Sequence, residues 1–196
     1  MKILREVIIT VIIAAAVFAL LRLTVQSYTV VMSSMEPTFQ QGDCIMVSKV
    51  SYRSSGPQRG DVIVFNPPAP HDDSPYPFIK RVIGLPGETV EIKDGEVSIN
   101  GTPLEEDEYI PIQPNYTMST TQVPEDEYFV LGDNRNNSTD SSKGWTVPRE
   151  NIIGKAWFTY WPPSKLGPVK HYRYPYLSEA GEQETGINYS YGVQLE

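Results

Sequence analysis

Val7 to Leu21 is apolar at every position except Thr10, and Leu23 to Val25 continues the run past Arg22. A helix that spans a bilayer needs about 20 such residues, so residues 7–25 predict one transmembrane helix. The run has no polar face at the 3.6-residue period, which argues against a helix buried in a soluble core. A cleavable signal segment is the competing reading, because Ala14-Ala15-Ala16 offers a small-residue cut site. Cleavage there would leave Val17 to Leu21 exposed, and no polar break interrupts the run, so an anchor is preferred. Lys2 and Arg5 lie in the short segment 1–6 and place it in the cytoplasm, with the body of the protein outside. Arg22 can reach the far interface by snorkelling.

Beyond residue 26 the pattern changes to short runs of period two. Cys44 to Val50 alternates Ile45 and Val47 with Met46 and Ser48 and reads as a strand. Asp61 to Phe65 is a short apolar run that reads as a buried strand, and Phe78 to Leu85 reads as another strand, buried or at an edge. Asp94-Gly95 and Asn100-Gly101 are hairpin turn pairs around Thr89 to Ile92 and Val97 to Ile99. Tyr128 to Leu131 and Ile152 to Trp161 complete the set. Between them, Asn66 to Pro77 holds five prolines and must be a loop, and Leu104 to Gln122 is acidic and proline-interrupted like a flap. The pattern predicts a mainly β domain over 26–177 with a small inserted flap. Residues 178–196 form a polar tail expected to be disordered.

Composition narrows the chemistry. The 196-residue chain has room for an anchor and one domain. Its 24 acidic and 16 basic residues give a net charge of −8, which disfavours nucleic acid as a partner. One cysteine and two histidines exclude an internal disulfide framework and leave too few ligands for a His/Cys metal site. No phosphate-binding glycine loop occurs, and no cofactor is implied.

A nucleophilic serine needs a base. His71 sits in the proline-rich loop and His171 in a tyrosine-rich segment, and both read as solvated surface residues. Lys80 is flanked by Ile79, Val82, Ile83 and Leu85. Burial there would lower its pKa from about 10.4, and a fall of ~3 units costs the charged form about 4 kcal/mol. An amine neutral near working pH can take a serine proton. The residues alone leave open whether Lys80 or Arg81 faces inward, whether Lys49 is the base instead, and whether Ser33 or Ser34 is the nucleophile.

Ser34-Met35-Glu36-Pro37-Thr38 resembles the Ser-Met-x-Pro-Thr box of the type I signal peptidases. Gly42-Asp43 with Val47 and Lys49, Arg59-Gly60-Asp61 through Phe65, Lys80-Arg81 through Gly87, and Gly132-Asp133-Asn134-Arg135 with Ser138 and Asp140 resemble the boxes that follow. They keep family order over residues 1 to about 160, behind an N-terminal anchor. The resemblance implies a Ser/Lys dyad of Ser34 and Lys80. It implies that Ser138 positions the lysine amine, that Arg81 and Asp133 pair, and that Asp140 braces its loop. It also implies a mainly β fold with a cap inserted between the lysine box and the last box, here a small one at about 98–123. Two positions depart from the pattern. Met32 stands where some members supply an oxyanion hydroxyl, which leaves backbone N–H groups for that task, and Ser142 stands where an arginine often pairs with the last aspartate.

The activity so implied is hydrolysis of exported preproteins at the signal-peptide junction, with small residues at the first and third positions before the cut. Met35 and Ile79 flank the dyad and are the expected pocket walls. A substrate strand would lie beside Ile79, and an apolar surface near Met32 and Met35 would touch membrane lipid. Asn115-Tyr116-Thr117 and Asn137-Ser138-Thr139 match the glycosylation sequon. A glycan on the second would obstruct the site, which points to a bacterial membrane. Two other readings remain. A self-cleaving protease similar to the SOS-type repressors would carry a DNA-binding domain where this chain has an apolar anchor. A membrane-anchored binding module would not need Ser34 or Lys80.

Overall fold

The computed structural model describes residues 2–71 and 73–177. The expected polar tail lies outside them. The first element is α1, Lys2–Thr24, a single helix of 23 residues. It is long and apolar enough to cross a membrane, and none of its apolar stretch is buried against the rest of the chain.

The chain passes from Thr24 directly into β1, Val25–Thr29, then β2, Cys44–Ser48, β3, Val62–Phe65, and β4, Phe78–Gly84. A group of four follows: β5, Thr89–Lys93, β6, Glu96–Ile99, β7, Thr102–Pro103, and β8, Met118–Gln122. The last four are β9, Glu127–Leu131, β10, Val147–Pro148, β11, Ile152–Trp161, and β12, Gly167–Pro168. The protein is mainly β, as the period-two runs require.

The strands form two sheets. The larger has the order β1-β2-β11-β3-β4-β9-β10, with β12 added beside β11. The smaller has the order β7-β6-β5-β8. The smaller sheet therefore takes in Thr89 as well and begins ahead of residue 98. The Asp94-Gly95 turn joins β5 to β6 in the register Ile92↔Val97 and Lys93↔Glu96.

Alternation along β2 buries Ile45 and Val47. They pack with Met35, Phe39, Val62 and Val64 in one core beneath the serine turn. A second core joins the sheets through Ile83, Val90, Phe129 and Leu131. Phe65, Phe78, Val130 and Trp145 lead the third. β4 sits between β3 and β9 and all its residues but Ile79 are buried. That is why its run reads as continuous rather than alternating, and why both of its cations must find partners.

β1 begins at the expected end of the transmembrane helix, in a stretch with no strand reading, and β8 lies inside the stretch that reads as a flap. Both are edge strands, Val-Gln-Ser-Tyr-Thr and Met-Ser-Thr-Thr-Gln, and neither has a fully buried residue. A strand held mainly by its ladder on one side leaves little apolar signature.

Candidate active site

The serine turn is set by what lies under it. Val30 donates to the Asp43 carbonyl at 2.8 Å, and Gly42 donates back to the Val30 carbonyl at 2.8 Å. Phe39 N–H donates to the Met35 carbonyl at 2.9 Å, and both side chains are sunk in the first core. The turn is thus pinned from below, and Ser34 between its anchors points at β4.

The polar loop after β9 clamps the same turn from the side. Asn134 N–H donates to the Ser34 carbonyl at 3.0 Å, and Asn134 Nδ2 donates to the Ser33 carbonyl at 3.1 Å. Asn137 Nδ2 donates to Ser33 Oγ at 3.0 Å. Thr38 donates to Asp133 Oδ2. Ser33 is thereby tied to the loop, while Ser34 faces the lysine.

Lys80 Nζ lies 2.7 Å from Ser34 Oγ and donates to the Ile79 carbonyl at 3.0 Å. The lysine is 2% exposed. Burial lowers its pKa from the ordinary lysine value to about 8, against the opposing pull of Asp140 and Asp133. A hydroxyl in hydrogen-bond reach of an amine poised near neutrality is the arrangement from which a nucleophile can be generated. Lys49 is not near this pair: its Nζ bonds the Arg22 carbonyl at the end of α1.

Arg81, the next residue, is buried too, so the choice between an inward lysine and an inward arginine does not arise. Arg81 Nε donates to Asp133 Oδ1 at 2.8 Å and Nη2 to Asp133 Oδ2 at 2.7 Å, with neither side chain exposed. Burial would lower the arginine pKa, but Asp133 overrides it and raises it. This bidentate pair fastens β4 to the loop that clamps Ser34. Asp140 braces that loop from within. Its Oδ2 accepts from Gly132 N–H at 3.0 Å and its Oδ1 from Ser142 N–H at 3.1 Å. Backbone donors thus serve where an arginine partner might stand.

Ser138 differs from expectation. Its Oγ is buried with no hydrogen-bond partner among the described residues, and Lys80 spends its bonds on Ser34 and Ile79 instead. Ser138 does sit against the dyad. A Cβ on Gly132 would fall 2.4 Å from Ser138 Oγ and 2.4 Å from the Ser34 carbonyl oxygen. Gly132→Ala is accordingly expected to push the two apart, costing cleavage activity at least about tenfold, since ångström misplacement can cost 10²-fold. Activity against melting temperature for this variant checks the point.

Met35 is also corrected. It is 0% exposed, inside the first core, and lines neither cavity at the dyad. Ile79 does. It joins Tyr28, Val30, Ile45 and Val64 around a cavity of about 80 Å³. A wider one of about 650 Å³ opens on the other side, between His71, Gln41 and the loop from Asn136 to Thr139. Met32, Ser34, Phe78 and Lys80 border both. β9 pairs with β4 only from Arg81 onward, so the margin of Phe78–Lys80 away from β3 has no strand beside it among the described residues.

Neither histidine is a solvated surface residue. His71 packs its ring toward Phe78 and Trp145. His171 Nδ1 accepts from Val62 N–H at 3.2 Å, and burial together with Lys155 pushes its pKa down to about 4.

One pair is unexpected. Arg135 donates to both carboxylate oxygens of Glu106 at 2.5 Å, and both side chains are buried. Glu106 lies in the stretch that reads as an acidic flap. Nothing local marks it, because its partner is 29 residues away.

The serine turn is clamped against a buried lysine, an arrangement suited to hydrolysis by a Ser/Lys pair. Residues 3–161 match the family described as signal peptidase, peptidase S26. The chain is 51% identical over 140 residues to a signal peptidase I of Leptolyngbya laminosa, a match covering 69% of this chain and 68% of the relative. It is 46% identical over 141 residues to a probable signal peptidase I of Synechocystis, covering 69% and 62%. It is 32% identical over 183 residues to a signal peptidase IB of Staphylococcus aureus, covering 84% and 93%. The chain belongs to the signal peptidase family, peptidase S26, and is a peptidase.

Proposed function

We propose that this chain is a membrane-anchored serine endopeptidase that removes signal peptides from exported preproteins through a Ser34/Lys80 dyad. The observation that carries the reading is the 2.7 Å approach of a buried Lys80 amine to Ser34 Oγ. In its neutral form the amine accepts the hydroxyl proton, and Oγ attacks the carbonyl carbon of the last signal residue. Backbone N–H groups of the serine turn stabilise the tetrahedral oxyanion, since Met32 has no hydroxyl to offer. The lysine ammonium returns its proton to the departing amine of the mature segment. Lys80 then activates water, which releases the signal peptide from Ser34. Ser138 Oγ borders the same cavity as Lys80 and is the candidate acceptor for the transient ammonium.

The cavity beside Ile79 is small and apolar, which suits short side chains before the cut. A substrate running along the free margin of β4 would gain main-chain hydrogen bonds there. From Thr24 to Ser34 the chain advances only ten residues, at most roughly 33 Å of extended backbone. The site therefore stays near the end of α1. Val31, Met32 and Tyr76 are 46%, 52% and 59% exposed beside it and would face lipid. The charges of Lys2 and Arg5 put the amino terminus in the cytoplasm and the catalytic domain outside.

The pH dependence tests this reading. Below a Lys80 pKa of about 8 the protonated amine cannot act as a base. At pH 7 about one enzyme in ten has the neutral form. The rate of cleavage of a model preprotein in detergent should rise close to tenfold per pH unit up to about 8 and then level. A rate flat from pH 5 to 9 removes a lysine base.

A further inference from the structure

The family match ends at residue 161, yet the segment that follows is tightly built into the fold. β12 pairs with β11 in the register Phe158↔Pro168, and Val169 N–H donates to the Trp157 carbonyl at 2.9 Å. The chain then leaves the larger sheet and crosses over Gly60. A Cβ on Gly60 would fall 2.1 Å from the Tyr172 carbonyl oxygen, so glycine is required where the segment passes. Farther on, the Tyr174 and Tyr109 hydroxyls are 2.8 Å apart, and Tyr176 Oη accepts from Glu105 N–H at 2.8 Å. Residues 169–177 thus form a strap from the larger sheet to the chain that follows β7.

Beneath the strap lies Arg81. Its Nη1 donates to the Gly60 carbonyl at 2.9 Å and reaches the Lys170 carbonyl at 3.4 Å. Its Cζ lies 4.3 Å from the Tyr109 ring centre and 4.9 Å from that of Tyr172. The two rings stack on each other at 4.6 Å. A cation beside such a pair is attracted by both rings. Resting on the dyad reading above, we propose that Tyr172 is a positioning residue: it holds the Arg81 guanidinium flat against Asp133 and so fixes the neutralised carboxylate that Lys80 feels.

The charges involved are few. Lys80 feels the charges of Asp140 and Asp133. Arg81 faces Asp133, Tyr109 and Tyr174, and His171 lies close enough to feel its charge. An Arg81 that swings away leaves Asp133 less compensated, and the carboxylate then favours the charged form of Lys80. The test compares wild type, Tyr172→Ala and Tyr172→Phe in the full chain in detergent. Two readouts are used: the pH profile of kcat on a model preprotein, and the Lys80 titration followed by the ¹³C shift of its ε-carbon. Tyr172→Ala should lower kcat several-fold at pH 7 and move both midpoints up by about 0.5–1 unit. Tyr172→Phe keeps the ring and should match wild type. Unmoved midpoints in Tyr172→Ala, whatever its melting temperature, overturn the proposal. So does a Tyr172→Phe that behaves like Tyr172→Ala. If wild type cleaves nothing, the dyad reading fails, while the ε-carbon midpoint still decides the role of Tyr172.

Discussion

Lys80→Met is expected to lower preprotein cleavage by roughly 10³-fold or more while leaving the fold at least as stable. Loss of a positioned general base costs about 10²–10⁴-fold, and in the proposed mechanism the same amine serves both half-reactions. Methionine matches the lysine stem in length and leaves no charge behind. The depressed Lys80 pKa means that folding disfavours the ammonium, so below pH 8 the lysine weakens the fold by up to about 3 kcal/mol. Removing it relieves that cost. Activity and thermal unfolding should therefore move in opposite directions, which a merely structural lysine would not produce. Retained cleavage in a folded Lys80→Met would take Lys80 out of the mechanism.

Arg81→Ala should have the largest effect on stability. Truncation leaves Asp133 as a buried carboxylate with Thr38 its remaining side-chain partner. Breaking a buried pair in this way costs about 3–5 kcal/mol, or roughly 6–20 °C in melting temperature for a domain of this size. The paired replacement of Arg81 by Met and Asp133 by Leu should recover much of that loss, because no orphaned charge remains. A loss below 1 kcal/mol for Arg81→Ala, measured by urea or thermal unfolding, would show that the pair does not fasten β4 to the clamp loop.

Much of the architecture can be read from periodicity. β2 alternates and buries Ile45 and Val47, the run at Val62–Phe65 lacks polar breaks because both faces are covered, and β4 is covered likewise although Lys80 and Arg81 interrupt its apolar run. The edge strands β1 and β8 escape that reading because exposed ladders have no apolar face to show. For the site, the aliphatic neighbours of Lys80 raise burial as one of two open readings, and the resemblance of Ser34-Met35-Glu36-Pro37-Thr38 to the serine box points to Ser34 over Ser33. Side-chain direction is not legible in the same way. Met35 neighbours the nucleophile in sequence, yet the turn sends it down into the core. Ser138 is carried close to the dyad but makes no bond to the amine. The Glu106–Arg135 pair and the Tyr172 contact with Arg81 are long-range, and no local pattern encodes such a partner.

Cleavage of a model preprotein by wild type and Ser34→Ala in detergent, with the products mapped by mass spectrometry, tests the central claim most directly. The account predicts one cut at the signal-peptide junction by wild type and none by Ser34→Ala, with Ser33→Ala retaining most of the activity. Cleavage by Ser34→Ala at the wild-type rate, or its loss only in Ser33→Ala, would contradict it.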